Sequence, residues 1–498
     1  MGIVIRQSIY TTIISYIGAV LGYINLLYLF PKFLAPEQVG LLRTVQDAAI
    51  LFVPFAQFGL AQSIFRFHPQ LAKDKDSEAS FLSLLLLLAI SGFAIFLIVF
   101  KIFEHPLLSY FQDNAKEIIQ YASIVVWLTF ILLITALLEA YSRSHLKTVF
   151  PNLLREVVIR LLLGVLVIVY FKGGLTYSGF IIATVMAYLS CLLILIIYLA
   201  AQKHLYFSFR FNAIPKSKIK ELIGYSFFSF AGTAGMIIIG KIDSMMVSAL
   251  IGLAANAVYT TAFYMAAVIE IPKRALSQVA MPLIARAFEK KDLKDIATIY
   301  QKTSINQFII GALFLIGIFI NIDNIFNLMP KKDIYEAGKW VVIIVGVGKL
   351  TDMLFGPSSE IIVLSKYYAF NILLILILAS SAIVSLNVLI PAYGVNGAAV
   401  GVALALILFN VVKYFFIWIK LKMQPFSTAT LKVLVIALLT LGLNYLLPRF
   451  DYLFIDIIVR SSVITVFYST LILFSKASPD GNAFLQKIMS TIGANYKR

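Results

Sequence analysis

The sequence predicts an all-α polytopic membrane protein with about fourteen transmembrane helices, and two observations carry that prediction. Hydrophobic residues make up 61% of the 498 residues, charged residues only 13%, and the mean hydropathy is +0.94. A soluble domain is typically about 45–50% apolar and about 25% charged. The apolar residues also fall into fourteen runs, each close to the roughly 20 residues that cross a bilayer. These features exclude disordered, fibrous and ordinary cytosolic proteins.

The fourteen runs follow one another with short polar connections. Their approximate limits are 7–30, 41–67, 80–101, 117–142, 150–171, 175–201, 219–250, 253–287, 297–320, 336–364, 367–391, 395–420, 428–448 and 453–475. We interpret the first run as a membrane span because it is longer than the hydrophobic core of a cleavable signal. The eighth is long and partly polar, so we expect part of it to leave the bilayer or to line water.

The net charge of +17 is explained by membrane topology. With the N-terminus inside, 22 Lys and Arg residues fall on the inner side and 7 on the outer side. Because basic residues concentrate in cytoplasmic loops, this ratio predicts that both termini face the cytoplasm. No nucleic-acid partner is needed to explain the basic residues.

The chemistry of the few reactive side chains argues against a metal or other cofactor. Cys191 is the single cysteine and lies inside an apolar run, so no disulfide forms within the chain. The four histidines occupy span ends and loops, and no two have the sequence spacing of a ligand pair. We therefore expect no metal site and no cofactor.

The chain repeats itself weakly at an offset of 218 residues. Gly22-Tyr23-Ile24-Asn25 aligns with Gly240-Lys241-Ile242-Asp243, and Pro54 aligns with Pro272. The offset spans six helices, an even number, so the halves would be parallel repeats. Chance matching among apolar helices is the alternative. Pro54 and Pro272 are candidate hinges, because proline removes a backbone hydrogen bond.

The repeat predicts a domain organisation of six, six and two helices. The parts are an N-terminal lobe 1–205, a cytoplasmic linker 206–218, a C-terminal lobe 219–424, two extra helices 425–475 and a cytoplasmic tail 476–498. Two six-helix lobes are typical of alternating-access transporters.

Several local sequences carry a family resemblance. They are the opening stretch through Phe30, Gln38-Val39-Gly40, Arg155-Glu156-Val157-Val158-Ile159-Arg160, Lys241-Ile242-Asp243 and Ala257-Val258-Tyr259-Thr260-Thr261-Ala262. With these stretches, the length and the span organisation, the chain resembles the polysaccharide or O-antigen-type (Wzx-like) flippases of the multidrug/oligosaccharidyl-lipid/polysaccharide (MOP) exporter superfamily.

The resemblance implies a MATE-like, V-shaped fold and a function. The function is movement of an undecaprenyl-diphosphate-type oligosaccharide from the inner to the outer leaflet of the bacterial plasma membrane, in lipopolysaccharide, capsule or exopolysaccharide synthesis. It implies no enzymatic activity. We expect a monomer surrounded by membrane lipid, with a polysaccharide polymerase and chain-length proteins as candidate partners.

Charged residues inside spans are costly and are functional hypotheses by default. Arginine suits a diphosphate because its planar fork donates paired hydrogen bonds. The candidate substrate-binding residues are Arg155, Arg160, Arg43, Lys241, Arg274 and Lys349. The candidates for ion coupling or charge pairing are Asp243, Glu270, Glu156, Asp47, Asp352 and Glu139.

Simple charge pairing is the competing interpretation of these residues. Arg43/Asp47, Glu156/Arg160 and Glu270/Arg274 all have the i,i+4 spacing that neutralises charges on one helix face. The leading site hypothesis is Arg155 with Arg160, because the corresponding stretch of the second half, 372–379, carries no charge. Asp243 and Glu270 are the candidates for Na⁺ or H⁺ coupling.

Two other functions stay open. A multidrug antiporter of the same superfamily typically has an acid in its first span, and this first span has none. A membrane-embedded glycan polymerase or glycosyltransferase could use Asp74-Lys75-Asp76 to hold a metal-bound nucleotide sugar, but we favour a solvated charged loop for that triplet, because short polar runs are common in loops.

Overall fold

The computed structural model describes residues 3–71, 74–209, 211, 214–478 and 481–482, and every regular element in those ranges is a helix. The helices form two compact units, one ending at Tyr259 and the other beginning at Thr260. Beyond residue 478, only 481–482 of the predicted tail lie within the described residues. The six-plus-six-plus-two organisation stays a prediction.

The first unit contains the helices up to Tyr259. They are α1 Ile3–Tyr23, a π-helical segment Ile24–Leu29, α2 Phe30–Phe33, α3 Pro36–Gln57, α4 Leu60–Leu71, α5 Lys75–Ser109, α6 Glu117–Gln120, α7 Ala122–Ser144, α8 Val149–Leu153, a second π-helical segment Leu154–Val158, α9 Ile159–Phe171, α10 Tyr177–Ala201, α11 Lys216–Ile239, α12 Ile242–Leu250 and the beginning of α13 Leu253–Ala267.

The second unit contains the rest of α13 and all later elements. They are a 3₁₀ turn Val268–Glu270, α14 Ile271–Glu289, α15 Leu293–Ile320, α16 Ile322–Asn327, α17 Lys332–Tyr335, a 3₁₀ turn Glu336–Gly338, α18 Lys339–Leu354, α19 Ser358–Leu364, α20 Phe370–Leu421, α21 Thr428–Leu443, a 3₁₀ turn Asn444–Leu446 and α22 Leu453–Phe474.

The described chain holds eleven helices long and apolar enough to cross a membrane, and twelve if the bent pair Lys332–Leu354 and Ser358–Leu364 is one span. Fourteen spans are predicted, two more than the twelve counted with the bent pair, and two places in the chain account for the difference. The run 150–171 is helical, but it carries three charged residues close together, Arg155, Glu156 and Arg160, so it is not apolar enough to be counted. The runs 367–391 and 395–420 share the 52-residue α20, which would be about 78 Å long if straight, against about 30 Å of hydrocarbon.

α20 is in fact two helices joined by a tight reversal at Gly394. Its φ of 59° and ψ of −139° are accessible to glycine and strained for other residues. A Cβ on Gly397 would lie 1.9 Å from the carbonyl oxygen of Leu389, and one on Gly401 would lie 3.3 Å from the backbone nitrogen of Leu386. The chain therefore folds back on itself, as two successive spans require.

Two other predicted spans are broken where the backbone leaves the helical region. The run 41–67 divides between α3 and α4 because Phe58 and Gly59 have φ values of 48° and 76°. A Cβ on Gly59 would lie 2.2 Å from the carbonyl oxygen of Ser226, so α11 packs directly on this break. The run 219–250 divides between α11 and α12 at Lys241, which has φ −136° and ψ −19°.

Large apolar side chains face outward along the helices. Ile98 is 63% exposed, Ile197 66% and Val388 65%. Soluble monomers rarely expose extended apolar surface, whereas a bilayer favours it. The chain is therefore a multi-pass membrane protein, and the all-α polytopic fold class is confirmed.

Each unit also has a buried apolar core. In the first unit, α4, α5, α7 and α10 pack around side chains such as Phe67, Phe81 and Leu137. In the second unit, α21 and α22 pack on α15, and the Tyr468 hydroxyl donates to the carbonyl of Ile309 at 3.0 Å. The last two helices are thus an integral part of the second unit.

Candidate functional site

Five charged residues of the first unit meet where α7 ends and α9 begins, and we call them the arginine cluster: Glu139, Arg143, Arg155, Glu156 and Arg160. Arg143 Nη2 and Arg155 Nη1 both lie 2.9 Å from Glu139 Oε2. Arg160 Nη2 lies 2.8 Å from Glu156 Oε2, and Arg155 Nε lies 3.3 Å from Glu156 Oε1. Three guanidinium groups face two carboxylates, so the cluster has a formal charge of +1.

The cluster buries one acid beneath exposed bases. The Glu139 side chain is 7% exposed, whereas Arg143 is 41% and Arg155 50% exposed. Arg155 Nη2 also donates to Asn152 Oδ1 at 3.0 Å. The buried acid and the amide hold the Arg155 guanidinium in one position while half of the side chain stays accessible. Such a group can bind an anion from outside without losing its support.

Two π-helical segments bring this cluster beside the first span. Asn25, in the segment Ile24–Leu29, donates its side-chain amide to the carbonyl of Arg160 at 2.7 Å. A Cβ on Gly164 would lie 2.9 Å from Asn25 Oδ1, so the missing side chain makes room for the amide. π turns are uncommon and often mark functional sites.

Glycines on α1 allow the close approach. A Cβ on Gly18 would lie 2.6 Å from the carbonyl oxygen of Glu156, which is less than any real contact. A Cβ on Gly22 would lie 3.3 Å from Arg160 Nη1. The first span therefore packs directly against the segment that carries the arginines, as small residues permit in membranes.

A second group of polar residues, the buried polar network, joins α3 to α12 and α13. Lys241 Nζ lies 2.5 Å from Asp47 Oδ1, and Ser244 Oγ donates to Asp47 Oδ2 at 2.8 Å. Ser244 also bonds to Asn256, whose amide reaches Thr44 at 3.1 Å. Because both oxygens of the buried Asp47 carboxylate are occupied, this network acts as a structural tie between helices.

Asp243 is adjacent to this network and has different surroundings. It is 4% exposed and accepts hydrogen bonds from the Tyr259 hydroxyl at 2.6 Å and from the Ser244 backbone N–H at 2.8 Å. Both of these donors are neutral. A hydroxyl can donate or accept, so the Tyr259 pairing suits either protonation state of the carboxyl group.

The second unit has its own cluster of buried ions. Glu270 Oε2 lies 2.6 Å from Lys349 Nζ. Asp352 pairs closely with Lys273 and lies 3.8 Å from the ammonium of Lys413. Two acids therefore hold three lysines, which we call the lysine cluster.

The pairings differ from those expected from helical spacing. Glu156 and Arg160 do pair within one helix turn. Glu270 pairs with Lys349 instead of Arg274, whose side chain is exposed. Tertiary packing decides the Glu270 pair because it brings Lys349 to 2.6 Å from the carboxylate, whereas the Arg274 side chain is exposed.

The remaining arginine candidate and the two prolines lie in different environments. The Arg43 guanidinium carbon is 5.6 Å from the centre of the Phe30 ring. Pro54 lies inside α3, four residues before the break at Phe58. Pro272 occupies the first turn of α14, directly after a 3₁₀ turn, where the missing N–H has no helical partner to lose. The hinge role of both prolines stays a prediction.

Several buried ions are not among the residues predicted from the sequence. Lys413 is 1% exposed, with its ammonium 4.2 Å from the centre of the Phe409 ring and 3.1 Å from Ser359 Oγ. Arg460 and Asp456 of the last helix are also buried and lie 3.6 Å apart. The positions of these residues inside apolar runs were visible in the sequence and could have identified them.

Three of the four histidines also meet in the fold. His68 Nε2 lies 3.2 Å from His145 Nε2, and the rings of His145 and His204 stack at 4.1 Å. Burial lowers the pKa of His145 to about 4, and the nearby His204 and His68 act in the same direction. Sequence spacing could not reveal this group, because its members are far apart in the chain.

The fold is shared with solved membrane transporters. It matches lipid II flippase MurJ in an inward closed conformation with a TM-score of 0.73 at 14% identity, covering 94% of this chain and 99% of that one. It matches an inward-facing multidrug resistance MATE family transporter of the MOP superfamily with a TM-score of 0.60 at 16% identity, covering 85% and 98%. A mutant of the Vibrio cholerae MATE transporter VcmN gives 0.53 at 14% identity, covering 85% and 98%.

The sequence comparisons are of two kinds. No curated protein matches the chain. The profile of the family described as polysaccharide biosynthesis protein matches residues 4–288, which is more than half of the chain and includes the arginine cluster and the buried polar network. With the MOP-type fold, this match confirms the resemblance inferred from the sequence: the chain belongs to the polysaccharide biosynthesis protein family.

Proposed function

We propose that this protein moves a lipid-diphosphate-linked oligosaccharide from the cytoplasmic to the outer leaflet of the bacterial plasma membrane by alternating access. Family membership and the transporter fold support movement of a polysaccharide precursor. The distribution of Lys and Arg supports an orientation with both termini in the cytoplasm. We propose a monomer in which no cofactor takes part in moving the substrate, with a polysaccharide polymerase as a neighbour in the pathway of synthesis.

The observation that carries this proposal is the accessible positive charge of the arginine cluster. Glu139 is shared by Arg143 and Arg155, so neither guanidinium is fully neutralised. A diphosphate carries several acceptor oxygens and binds paired N–H donors well. The cluster lies at the end of α7 and the start of the fifth predicted span, which topology assigns to the cytoplasmic side. A headgroup that enters from the cytoplasm would meet Arg155 first.

The other basic residues predicted to bind substrate have less direct roles in this proposal. Lys241 and Lys349 are each within 2.6 Å of a carboxylate and stabilise helix packing. Arg274 is exposed, so it is the second candidate for phosphate contact. We assign ion coupling to Asp243 rather than Glu270, because Glu270 is held by the Lys349 ammonium while Asp243 is held by neutral groups.

The test is the sidedness of the lipid-linked oligosaccharide in cells that lack the protein. We expect accumulation on the cytoplasmic face, reversed by the wild-type protein. The Arg155→Gln/Arg160→Gln double variant should insert normally but restore little delivery. Arg66→Gln is a matched control, because Arg66 pairs with Glu221 at 3.3 Å outside the cluster and should leave delivery intact.

Each alternative has its own outcome. Normal outward delivery with an altered glycan in the deletion strain would show that the protein is a membrane enzyme and not a flippase. Normal glycan delivery together with lost drug resistance would favour a multidrug antiporter. Full delivery by the double arginine variant would reject the arginine cluster as the headgroup site while keeping the flippase function.

A further inference from the structure

A group of metal-ligating side chains lies outside the sites described above, at one end of the first unit. His68 is near the end of α4, Glu78 is in the first turn of α5, and His145 follows α7. Each residue offers one ligand atom, an imidazole nitrogen or a carboxylate oxygen, and the three atoms all lie within 4.8 Å of one another. We call these three residues the histidine–glutamate group. It lies at the ends of the second, third and fourth predicted spans, on the side assigned to the cytoplasm.

The distances match those between ligands of one metal ion. His68 Nε2 and His145 Nε2 are 3.2 Å apart, and His145 Nε2 and Glu78 Oε1 are 3.0 Å apart. Zinc binds nitrogen and carboxylate oxygen at about 2.0–2.2 Å, so tetrahedral ligand atoms are about 3.3–3.6 Å apart. Two of the three ligand–ligand edges are therefore nearly formed, and small side-chain rotations would complete the third.

Hydrogen bonding alone accounts poorly for this arrangement. His145 Nε2 faces two atoms, His68 Nε2 and the Glu78 carboxylate oxygen, and the carboxylate accepts only. If both imidazoles are neutral, hydrogen bonds can account for both contacts only when the single Nε2–H of His145 is shared between two acceptors, His68 Nε2 and Glu78 Oε1. A cation attracts the lone pairs of all three atoms at once, so it satisfies every contact.

The surroundings orient the carboxylate ligand. The Tyr141 hydroxyl donates to Glu78 Oε1 at 2.8 Å, and Tyr141 itself is fully buried. Such outer hydrogen bonds fix ligand orientation in metal sites. The His204 ring stacks on His145, and its Nδ1 lies 4.0 Å from Glu78 Oε1. A fourth position can therefore be taken by water or by His204 after a turn of its side chain.

We propose that the histidine–glutamate group binds one divalent transition-metal ion of the zinc type. Two imidazoles and one carboxylate suit zinc and its neighbours, whereas Mg²⁺ and Ca²⁺ prefer oxygen ligands only. The ion links α4, α5 and the end of α7. Because Arg143 of the arginine cluster is two residues before His145, the metal also fixes the end of the helix that carries that arginine.

The test measures metal binding by the purified, full-length protein in detergent, without a histidine tag. After chelator treatment and buffer exchange, Zn²⁺ titration and elemental analysis should give one ion per chain. Co²⁺ should give the visible absorption typical of four-coordinate cobalt. Metal should also raise the thermal unfolding temperature, since ligand binding to the folded state stabilises it.

Matched variants locate the site. His68→Ala/His145→Ala should bind no stoichiometric metal, while His105→Ala, the remaining histidine, should bind as the wild type does. Tyr141→Phe should weaken affinity by about 10–100-fold, the usual effect of losing an outer hydrogen bond to a ligand.

The unfolding temperatures of the metal-free proteins show whether each variant folds. If a histidine variant fails to fold, Glu78→Gln is tested in its place. Loss of binding in Glu78→Gln with retained folding supports the site. Equal binding by the double histidine variant or by Glu78→Gln, or no stoichiometric binding by the wild type, would overturn it. The metal readout does not depend on transport, so it stands or fails separately from the proposed flippase function.

Discussion

Lys241 places its ammonium group 2.5 Å from the carboxylate of Asp47, although 194 residues separate them in the chain. Lys241 sits at the break between α11 and α12, where the backbone leaves the helical region, and Asp47 lies inside α3. The contact therefore ties the second predicted span to the seventh. It also explains why a helix break occurs beside a charged residue: the break lets the side chain reach a buried acid.

This pair predicts a large loss of stability when one partner is removed. Lys241→Ala leaves the Asp47 carboxylate, whose residue is 5% exposed, without its counter-charge. We expect the free energy of unfolding to fall by about 3–5 kcal/mol, measured by denaturant titration in detergent. Arg66→Ala, which breaks the exposed Arg66–Glu221 pair, should cost only about 0–1 kcal/mol. Equal effects of the two variants would show that the Asp47 pair is not effectively buried.

The lysine cluster predicts an asymmetry between its members. Asp352 faces both Lys273 and Lys413, so Asp352→Asn leaves two buried ammonium groups without that acid and should cost about 3–5 kcal/mol. Lys413→Met keeps the apolar stem and leaves Asp352 paired with Lys273, so we expect a loss of less than about 1.5 kcal/mol. Unfolding temperatures of the two variants provide the comparison. A larger loss of stability in Lys413→Met than in Asp352→Asn would contradict the assignment of Asp352 as the shared partner.

The contact between the first and fifth predicted spans depends on Gly18. Gly18→Val would force a Cβ to within 2.6 Å of the Glu156 carbonyl oxygen, so the helices must separate. We expect a destabilisation of about 1–3 kcal/mol and reduced oligosaccharide delivery, because the arginine cluster shifts with its helix. Gly232→Ala is the matched control, since no atom lies within 4 Å of its added Cβ. Wild-type delivery by Gly18→Val would mean that this packing does not position the arginines.

Asp243 predicts a transport phenotype distinct from misfolding. Asp243→Asn removes a titratable group while keeping the shape of the side chain, so transport in vesicles should lose its dependence on an imposed proton gradient. The Asn carbonyl oxygen can still accept from the Ser244 N–H and its amide can donate to the Tyr259 hydroxyl oxygen, so the free energy of unfolding should change by no more than about 0.5–1.5 kcal/mol. The Glu270→Gln/Lys349→Met double variant neutralises an ion pair and should keep the gradient dependence. If transport by Asp243→Asn still depends on the proton gradient, this carboxyl group does not couple transport to protons.

Part of the candidate site could be predicted from the sequence. Charges inside an apolar run are rare, which points to Arg155, Glu156 and Arg160, and helical spacing predicts the observed pairing of Glu156 with Arg160. The sequence also indicates Glu139 as an intramembrane acid, and its contact with Arg143 follows the i,i+4 spacing on α7. Its contact with Arg155 depends on the packing of α7 against the fifth predicted span, which spacing along one helix does not describe.

The class of protein follows from the sequence alone. Long apolar runs can satisfy their backbone groups in a bilayer only as helices, so length and hydropathy determine an all-α membrane protein and the approximate position of each span. The length and span organisation, together with a few short stretches, also indicate the family.

Only the tertiary structure decided which charges are partners and where the helices break. Asp47 pairs with Lys241, Glu270 with Lys349, and three histidines meet near Glu78, all through contacts between residues distant in the chain. The physical reason is that a buried charge is stabilised by whichever opposite charge packing brings within a few ångströms. That distance is set by the packing of neighbouring helices, and local sequence periodicity does not contain it.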